Sequence, residues 1–127
     1  MKGLVKEWIE KAEADANTAR REVQVVEDPN WDAVCFHVQQ AIEKYLKGLL
    51  LKDDLAPSRT HDLAVLLNPL LNRYPDLKKL HDDMEWISAF AVEIRYPGET
   101  ADKADAKKAV AIMERAIKAF LNKFPLP

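Results

Sequence analysis

The amino-acid sequence predicts an all-α protein, an up-and-down antiparallel bundle of four long helices and one short helix. Apolar residues recur every three or four positions along most of the 127 residues, which is the spacing of helices with one buried side. Prolines and glycines interrupt this spacing, and no stretch alternates apolar and polar residues as a half-buried strand does. Short connections between such helices favour antiparallel neighbours.

The first two predicted helices are the longest. Apolar residues at helical spacing over 5–26 predict the first helix, and the Asp-Pro-Asn sequence at 28–30 breaks the chain after it. The second helix is predicted over 31–52. It carries the widest apolar stripe, so we expect it to be the most buried helix of the bundle.

The third predicted helix is short and follows a loop at 53–59. Thr60 is a suitable N-cap, so this helix is expected to begin at His61. Pro69 then kinks or ends it, because proline lacks the backbone N–H that a helix interior needs.

The last two predicted helices are separated by a proline- and glycine-containing turn. The fourth helix is predicted over 77–94, and the Arg-Tyr-Pro-Gly sequence at 95–98 stops it. Thr100 or Asp102 then caps the fifth helix.

Composition limits the possible functions. The chain has 19 Lys and Arg against 21 Asp and Glu, a net charge of −2, which excludes a strongly basic surface for duplex nucleic acid over the whole protein. Three glycines cannot form a Walker-type or dinucleotide-binding loop, and the single Cys35 excludes an internal disulfide. We expect one domain over 1–124 with a C-terminal tail at 125–127, no signal peptide and no membrane span, and therefore a cytoplasmic location.

The alternation of helix directions predicts which connections meet. If helices two, three and four alternate, the connections at 53–62 and 95–100 lie at the same end of the bundle. The residues brought together there would be Arg59, His61, Asp62, Arg95 and Tyr96. The sequence therefore predicts a positive pocket for an anionic ligand at this end.

Arg95 and Tyr96 are the first pair of candidate ligand contacts. A guanidinium group is a planar fork of donors suited to phosphate, and a tyrosine can stack on a base or donate its hydroxyl. Alternatively, Arg95 only caps the last carbonyl groups of helix four.

The start of helix three supplies the second group of candidates. A helix N-terminus offers free backbone N–H groups to an anion, and Arg59 would add positive charge there. Alternatively, Thr60 caps the helix, Asp62 interacts with the helix dipole, and His61 is simply solvated.

A polar face of helix two supplies the third group. His37, Gln40, Lys44 and Lys47 are spaced by three, four and three residues, so they share one side of the helix. Such a face could line a ligand cleft or a dimer seam, or it could be an ordinary solvated surface. His37 and Gln40 are the more informative members, because lysines commonly extend into solvent.

A metal site is a further possibility, since helical phosphohydrolases of the HD type bind a metal through histidines and aspartates. His37, His61 and Asp62 superficially supply such a set. With His61 at the foot of helix two, however, it lies about 22 Å from His37 at 1.5 Å per residue. A metal–nitrogen bond measures about 2 Å. Unless a dimer brings the residues together, we expect no metal and no cofactor.

Three stretches of the sequence resemble HEPN domains, in the order found in that family. Residues 36–47, Phe-His-Val-Gln-Gln-Ala-Ile-Glu-Lys-Tyr-Leu-Lys, resemble the second-helix signature. Residues 59–63, Arg-Thr-His-Asp-Leu, resemble the start of the third helix, and Arg-Tyr-Pro at 95–97 resembles the segment after the fourth. The resemblance covers 1–124.

The resemblance implies a helical bundle, commonly a homodimer. Family members bind nucleotides or accompany minimal nucleotidyltransferases in toxin–antitoxin-like pairs, and many others are metal-independent ribonucleases with Arg, four to six residues and then His. In this chain no histidine follows His81, and Arg59 precedes His61 by only two positions. The resemblance therefore implies a nucleotide- or RNA-phosphate-binding module rather than an enzyme, with Arg95 and Tyr96 as ligand contacts.

Two other functions stay open at this point. One is a ribonuclease whose site is assembled across a dimer, and the other is a module that serves only dimerisation. We expect a homodimer in either case, because the helix-two stripe together with Trp31 and Trp86 suggests more apolar surface than five helices can cover.

Overall fold

The structure, a computed structural model, describes residues 2–92 and 96–124. Within these residues it has five α-helices and no strand, which confirms the predicted all-α fold class. The α-helices are α1 (Lys2–Glu22), α2 (Trp31–Lys52), α3 (Leu63–Leu67), α4 (His81–Ser88) and α5 (Lys103–Leu121). Two 3-10 helices, at Asn68–Leu70 and Pro75–Leu80, connect α3 to α4.

Helix α2 lies between α1 and α5. A short connection joins α1 to α2, and the hydroxyl of Tyr45 donates to Glu13 of α1 across the pair (2.8 Å). At the start of α5 the backbone N–H of Ala101 donates to Asp32 of α2 (2.7 Å), and near its end the ring of Phe120 lies 6.4 Å from that of Tyr45. These contacts show that α5 runs in the same direction as α2.

Side chains of α4 contact α5, which runs in the opposite direction. Asp83 lies 3.4 Å from Arg115, and one turn further along α4 the ring of Trp86 lies 4.1 Å from the ammonium group of Lys108. As the residue numbers rise along α4, the numbers of the contacted residues in α5 fall, so the two helices are antiparallel. The four helices α1, α2, α4 and α5 thus alternate in direction, as an up-and-down bundle requires.

Small residues allow α1 to approach α2 closely. Ala12, Ala16 and Ala19 share one side of α1 and are all fully buried. Tyr45 of α2 is also fully buried, and its burial, together with the hydrogen bond to Glu13, raises the pKa of its hydroxyl. Bulk on α2 is therefore matched by alanines on α1, which leaves little room for a larger side chain.

The connection after α2 is extended and returns along that helix. It leaves α2 at Asp53, and by His61 it has reached Glu43, whose carboxylate lies 2.9 Å from the imidazole. The chain then descends again through α3, so that Arg73 lies 3.0 Å from Asp53. The prediction that helix three runs opposite to helix two is wrong, because the extended connection already leads back along α2. The same prediction had helix four running in the direction of helix two, whereas α4 runs opposite to it.

The start of α3 lies next to the end of α4. The backbone N–H of Leu63 donates to the hydroxyl of Ser88 (2.9 Å). The connection that ends at residue 62 and the segment that begins at residue 89 therefore meet beside the middle of α2, and not at its foot.

The first and third helices differ from their predicted bounds. α1 ends at Glu22 rather than at residue 26, since three valines follow Glu22 and valine has a low helix propensity. Val26 is 92% exposed. α3 begins at Leu63 with Asp62 as its N-cap. Thr60 is not the cap, since its hydroxyl accepts the N–H of Asp62 (3.1 Å).

The fourth helix is shorter than predicted. It consists of the 3-10 helix Pro75–Leu80 followed by α4, which ends at Ser88 rather than at residue 94. The hydroxyl of Ser88 donates to the carbonyl of Met84 (2.8 Å) while it accepts from Leu63, so a contact with α3 marks this end. Of the two caps predicted for the fifth helix, Asp102 is the N-cap and forms a capping box with Asp105.

The alanine side of α1 leads to a stability prediction. We expect Ala16→Leu to lower the free energy of unfolding by about 1–3 kcal/mol, since added bulk at this helix contact forces neighbouring side chains out of place. Ala14 lies on the exposed side of the same helix, so Ala14→Leu is the matched control. Urea unfolding of both variants measures the difference, and equal stability of the two would contradict the close approach.

Candidate functional site

The predicted polar face of α2 is divided between two neighbouring elements. His37 and Lys44 turn towards α1, whereas Glu43 lies against the connection that carries His61. Phe36 and Gln40 fall between these two groups on the helical wheel and are half-exposed. The face is therefore neither a single cleft nor a uniformly solvated surface.

An aspartate of α1 engages the first group. Nδ1 of His37 lies 2.8 Å from Oδ1 of Asp15, and the ammonium group of Lys44 pairs with the other oxygen. The Asp15 side chain is only 13% exposed. His37 and Lys44, both predicted for ligand binding, are thus directed towards a neighbouring helix.

A groove runs beside this group. It has a volume of about 320 Å³ and is lined by Leu4, Glu7, Trp8, Lys11 and Lys44. Lys47 lies 5.9 Å from the centre of the Trp8 ring, on the same side of the pair of helices. Since Lys44 is committed to Asp15 and Lys47 to a carboxylate of α2, the groove offers an anion few free charges.

The second group forms what we call the His61 corner, defined by Gln39, Glu43, Lys47, Arg59, His61 and Asp62. At its centre is the carboxylate of Glu43, which is 5% exposed. Three donors approach it: Nδ1 of His61 (2.9 Å), the ammonium group of Lys47 (2.9 Å) and the amide of Gln39 (3.1 Å). The amide of Gln39 also donates to the backbone carbonyl of His61 (2.9 Å).

These three donors stabilise the negative charge of Glu43. Burial alone would raise the pKa of the carboxyl group, but the hydrogen bonds from Lys47, His61 and Gln39 outweigh it, and the pKa of Glu43 is lowered. Gln39 is fully buried and its carbonyl oxygen accepts from Gln40 (2.7 Å). The carboxylate is therefore anionic near neutral pH and accepts hydrogen bonds through both of its oxygens.

Glu43, Gln39 and Asp15 were not among the residues predicted for the site. The sequence contained a signal for two of them: Gln39, Glu43 and Lys47 follow one another at intervals of four, which places them on one side of α2. That spacing does not show that two of the three are buried. Their burial depends on the extended connection, whose path the sequence did not reveal.

The start of α3 does not provide the predicted anion site. Oδ1 of Asp62 accepts from the N–H groups of Ala64 (3.0 Å) and Val65 (3.3 Å), so the cap itself uses the free amides. α3 also has only five residues, too few for a substantial helix dipole. Arg59 is exposed, and it supplies charge next to His61 instead.

The other predicted contacts lie on the segment after α4. Arg95 lies outside the described residues. Tyr96 is described, and its side chain is 71% exposed. Its carbonyl accepts the N–H of Glu99 (2.9 Å) in a turn that contains Gly98 at φ +92°, a value that favours glycine. No hydrogen bond between described residues joins Tyr96 to 59–62, so their meeting stays a prediction.

The two histidines considered for a metal site, His37 and His61, occupy different clusters. His61 lies at the level of Glu43, six residues from His37, so the predicted separation of about 22 Å is wrong and the rise between the two levels is about 9 Å. They nevertheless pair with different carboxylates on different sides of α2. Within the described ranges, the group spaced closely enough for a cation is His81, Asp82 and Glu85, on the surface of α4.

The lowered pKa of Glu43 predicts a pH-dependent stability. Glu43→Gln leaves one acceptor oxygen where there were two. We therefore expect the free energy of unfolding to fall by about 1–3 kcal/mol at pH 7. Because the folded-state pKa lies below the unfolded one, wild type has this advantage in full above the ordinary glutamate pKa and loses it as the pH falls through the lowered value. The difference between the proteins should therefore shrink towards pH 3.5.

Urea unfolding at pH 7 and pH 3.5 measures this difference. The control is Glu10→Gln, which removes an exposed pair with Lys6 (3.9 Å) and should change the stability by less than about 0.5 kcal/mol. A Glu43→Gln loss that is the same at both pH values would contradict the assignment.

A comparison with solved structures places this fold beside a known one. The crystal structure of TT1696 from Thermus thermophilus superposes with a TM-score of 0.80, covering 94% of this chain and 98% of that one. The two sequences are 20% identical, so the likeness concerns the fold. A comparison with curated proteins gave no match. Within the described residues, none of the helices is long and apolar enough to cross a membrane.

A comparison with family models agrees with the sequence signatures. The model of the HEPN domain matches residues 5–123, which is nearly the whole chain. The matched range includes α2 with its polar face, the extended connection and all of α5. The chain belongs to the HEPN domain family.

Proposed function

We propose that this HEPN-domain protein binds the phosphate group of a nucleotide or of RNA, through Arg95 and Tyr96 on one side and Arg59 and His61 on the other. The hydrogen bond between Leu63 and Ser88 supports this most directly (2.9 Å). This hydrogen bond links the end of the connection that carries Arg59 to the end of α4, after which the sequence continues to Arg95. The ligand would lie between these two segments.

Exposure supports the same proposal. Tyr96 is 71% exposed, so its ring is free to stack on a base. Arg59 is exposed as well, and the side chain of His61 is 68% exposed although its Nδ1 is held by Glu43. We propose binding and not cleavage, because no histidine follows Arg95 to transfer a proton.

We further propose that the protein acts beside a minimal nucleotidyltransferase, as one member of a toxin–antitoxin-like pair. The family membership supports this, together with the absence from the sequence of the Arg and His spacing typical of HEPN ribonucleases. The identity of the neighbouring gene tests it. A short nucleotidyltransferase gene beside this one would support the pairing, and neighbours without any nucleotidyltransferase would contradict it.

Calorimetric titration of the full chain with nucleoside mono- and triphosphates tests the binding proposal. We expect measurable heat with at least one of them, and Arg95→Ala should weaken that binding by about 10–100-fold, because hydrogen bonds to charged groups contribute about 1.5–3 kcal/mol. Arg21→Ala removes an arginine from the surface of α1 and should leave the affinity unchanged. No heat with any nucleotide, or equal affinity of the Arg95→Ala variant, would reject the proposal.

We also propose that the protein is a homodimer whose interface includes Phe36 and Gln40 of α2, which we call the open strip of α2. Trp31 and Trp86 do not support the dimer as expected, because both pack against the core of this chain. The support comes from Phe36 and Gln40, which lie on the helical wheel between the Asp15 pair and the His61 corner. Both are half-exposed, so part of an aromatic ring is open to solvent there. A second copy would cover this strip.

Sedimentation analysis at high concentration tests the dimer. We expect wild type to sediment at twice the chain mass and Phe36→Glu to sediment as a monomer, since a buried unpaired carboxylate opposes association. Val26→Glu places the same charge on a residue that is 92% exposed and should leave the dimer intact. A monomeric wild type at high concentration would refute the proposal.

A further inference from the structure

We propose that Glu43 and Gln39 are positioning residues for His61, and that the ionisation of His61 sets the charge of the His61 corner and thereby its affinity for a phosphate group. The inference rests on the proposed function, since it concerns how that site holds its ligand. It adds two residues to the site and a dependence on pH that the sequence did not predict.

The imidazole of His61 is held from its inner side. Its Nδ1 lies 2.9 Å from Oε1 of Glu43, and Gln39 fixes its backbone carbonyl at 2.9 Å. Gln39 is fully buried and Glu43 is 5% exposed, so both partners are themselves fixed by packing. Because the His61 side chain is 68% exposed while Nδ1 is held inside, the edge with Nε2 faces the solvent.

The carboxylate also determines which nitrogen carries a proton. An ionised carboxylate can only accept, so it requires a hydrogen on Nδ1 of His61. In the neutral ring Nε2 is then a bare acceptor, which cannot donate to a phosphate oxygen. In the protonated ring Nε2 carries a hydrogen and becomes a donor. Glu43 therefore makes His61 a phosphate ligand in its charged form only.

The other charges of the corner cancel one another. Glu43 and Lys47 face His61 from α2, and they pair at 2.9 Å. Arg59 and Asp62 lie on the segment of His61 itself. α4, which packs against the same segment, contributes the uncharged hydroxyl of Ser88. Within this described set, the net charge of the corner is therefore the charge of His61, and its attraction for an anion rises as the pH falls.

Nuclear magnetic resonance of the ¹⁵N-labelled full chain tests the positioning without any ligand. At pH 9 we expect the proton of neutral His61 on Nδ1, and in Glu43→Ala we expect it to move to Nε2, which free histidine favours. His61→Gln identifies the signal. A wild-type proton on Nε2, or a proton that stays on Nδ1 in a folded Glu43→Ala, would overturn the inference. If Glu43→Ala does not fold, the wild-type tautomer alone decides.

Sulfate tests the charge, because it stands in for phosphate and remains a dianion between pH 5.5 and pH 8. We expect wild type to bind sulfate about tenfold more tightly at pH 5.5 than at pH 8, the effect of one added charge close to the anion. His61→Gln should remove this dependence. His81→Gln changes a histidine that pairs with Glu85 on α4 (3.2 Å), and it should behave as wild type.

The outcomes separate this inference from the proposed function. Sulfate binding that weakens with rising pH only when His61 is present supports the inference even if no nucleotide binds, in which case the proposed function fails alone. Sulfate affinity that is equal at both pH values, or equally pH-dependent in His61→Gln, overturns the inference even if nucleotides bind. Absence of sulfate binding at both pH values overturns it as well.

Discussion

The carboxylate of Glu43, buried in the side of α2, constrains the path of the chain for many residues after that helix. A buried carboxylate without partners would cost several kcal/mol, and the donors that compensate it come from two places. Lys47 and Gln39 belong to α2, whereas His61 arrives from the following segment. The segment that returns to the middle of α2 completes this set of donors and covers the carboxylate.

That return explains the arrangement of the shorter helices. Because residues 53–62 climb along α2 without forming a helix, α3 starts beside Gln39 and Glu43 and descends. The chain reaches the end of α2 again at Arg73, next to Asp53, and only then can α4 ascend. The end of α4 consequently meets the start of α3, where Ser88 accepts from Leu63. One buried acid thus fixes the place at which two distant segments come together.

The sequence predicted well those features that depend on local signals. The bounds of α2 follow from the break at 28–30 and the polar residues after Lys52, and the cap of α5 follows from Asp102. It predicted poorly the features that depend on distant contacts. α4 ends where Ser88 meets Leu63, a residue 25 positions away, and no proline or glycine marks that end. Asp62 instead of Thr60 caps α3, although both residue types are good caps, because the Thr60 hydroxyl is used in a local turn.

The candidate site was predictable only by residue type. The spacing of His37, Gln40, Lys44 and Lys47 placed them correctly on one side of α2. It could not show that the carboxylate of Asp15 pairs with His37 and Lys44, since that aspartate lies on another helix, 22 residues from His37. The path of the 53–62 segment was equally hidden, because an irregular extended stretch has no periodic pattern. For that reason His61 was placed at the foot of α2 and not beside Glu43.

The pairing of charges connects the two proposals on function. Asp15 and Glu43 pair with Lys44 and Lys47, whereas Arg59 and the outer edge of His61 stay exposed in a chain whose net charge is −2. Exposed charges in water attract an anion only weakly, because the solvent screens them. A second copy over the open strip of α2 would exclude water from the neighbouring His61 corner and strengthen the same contacts. Dimerisation and phosphate binding would therefore support each other, and disruption of the strip at Phe36 would weaken both.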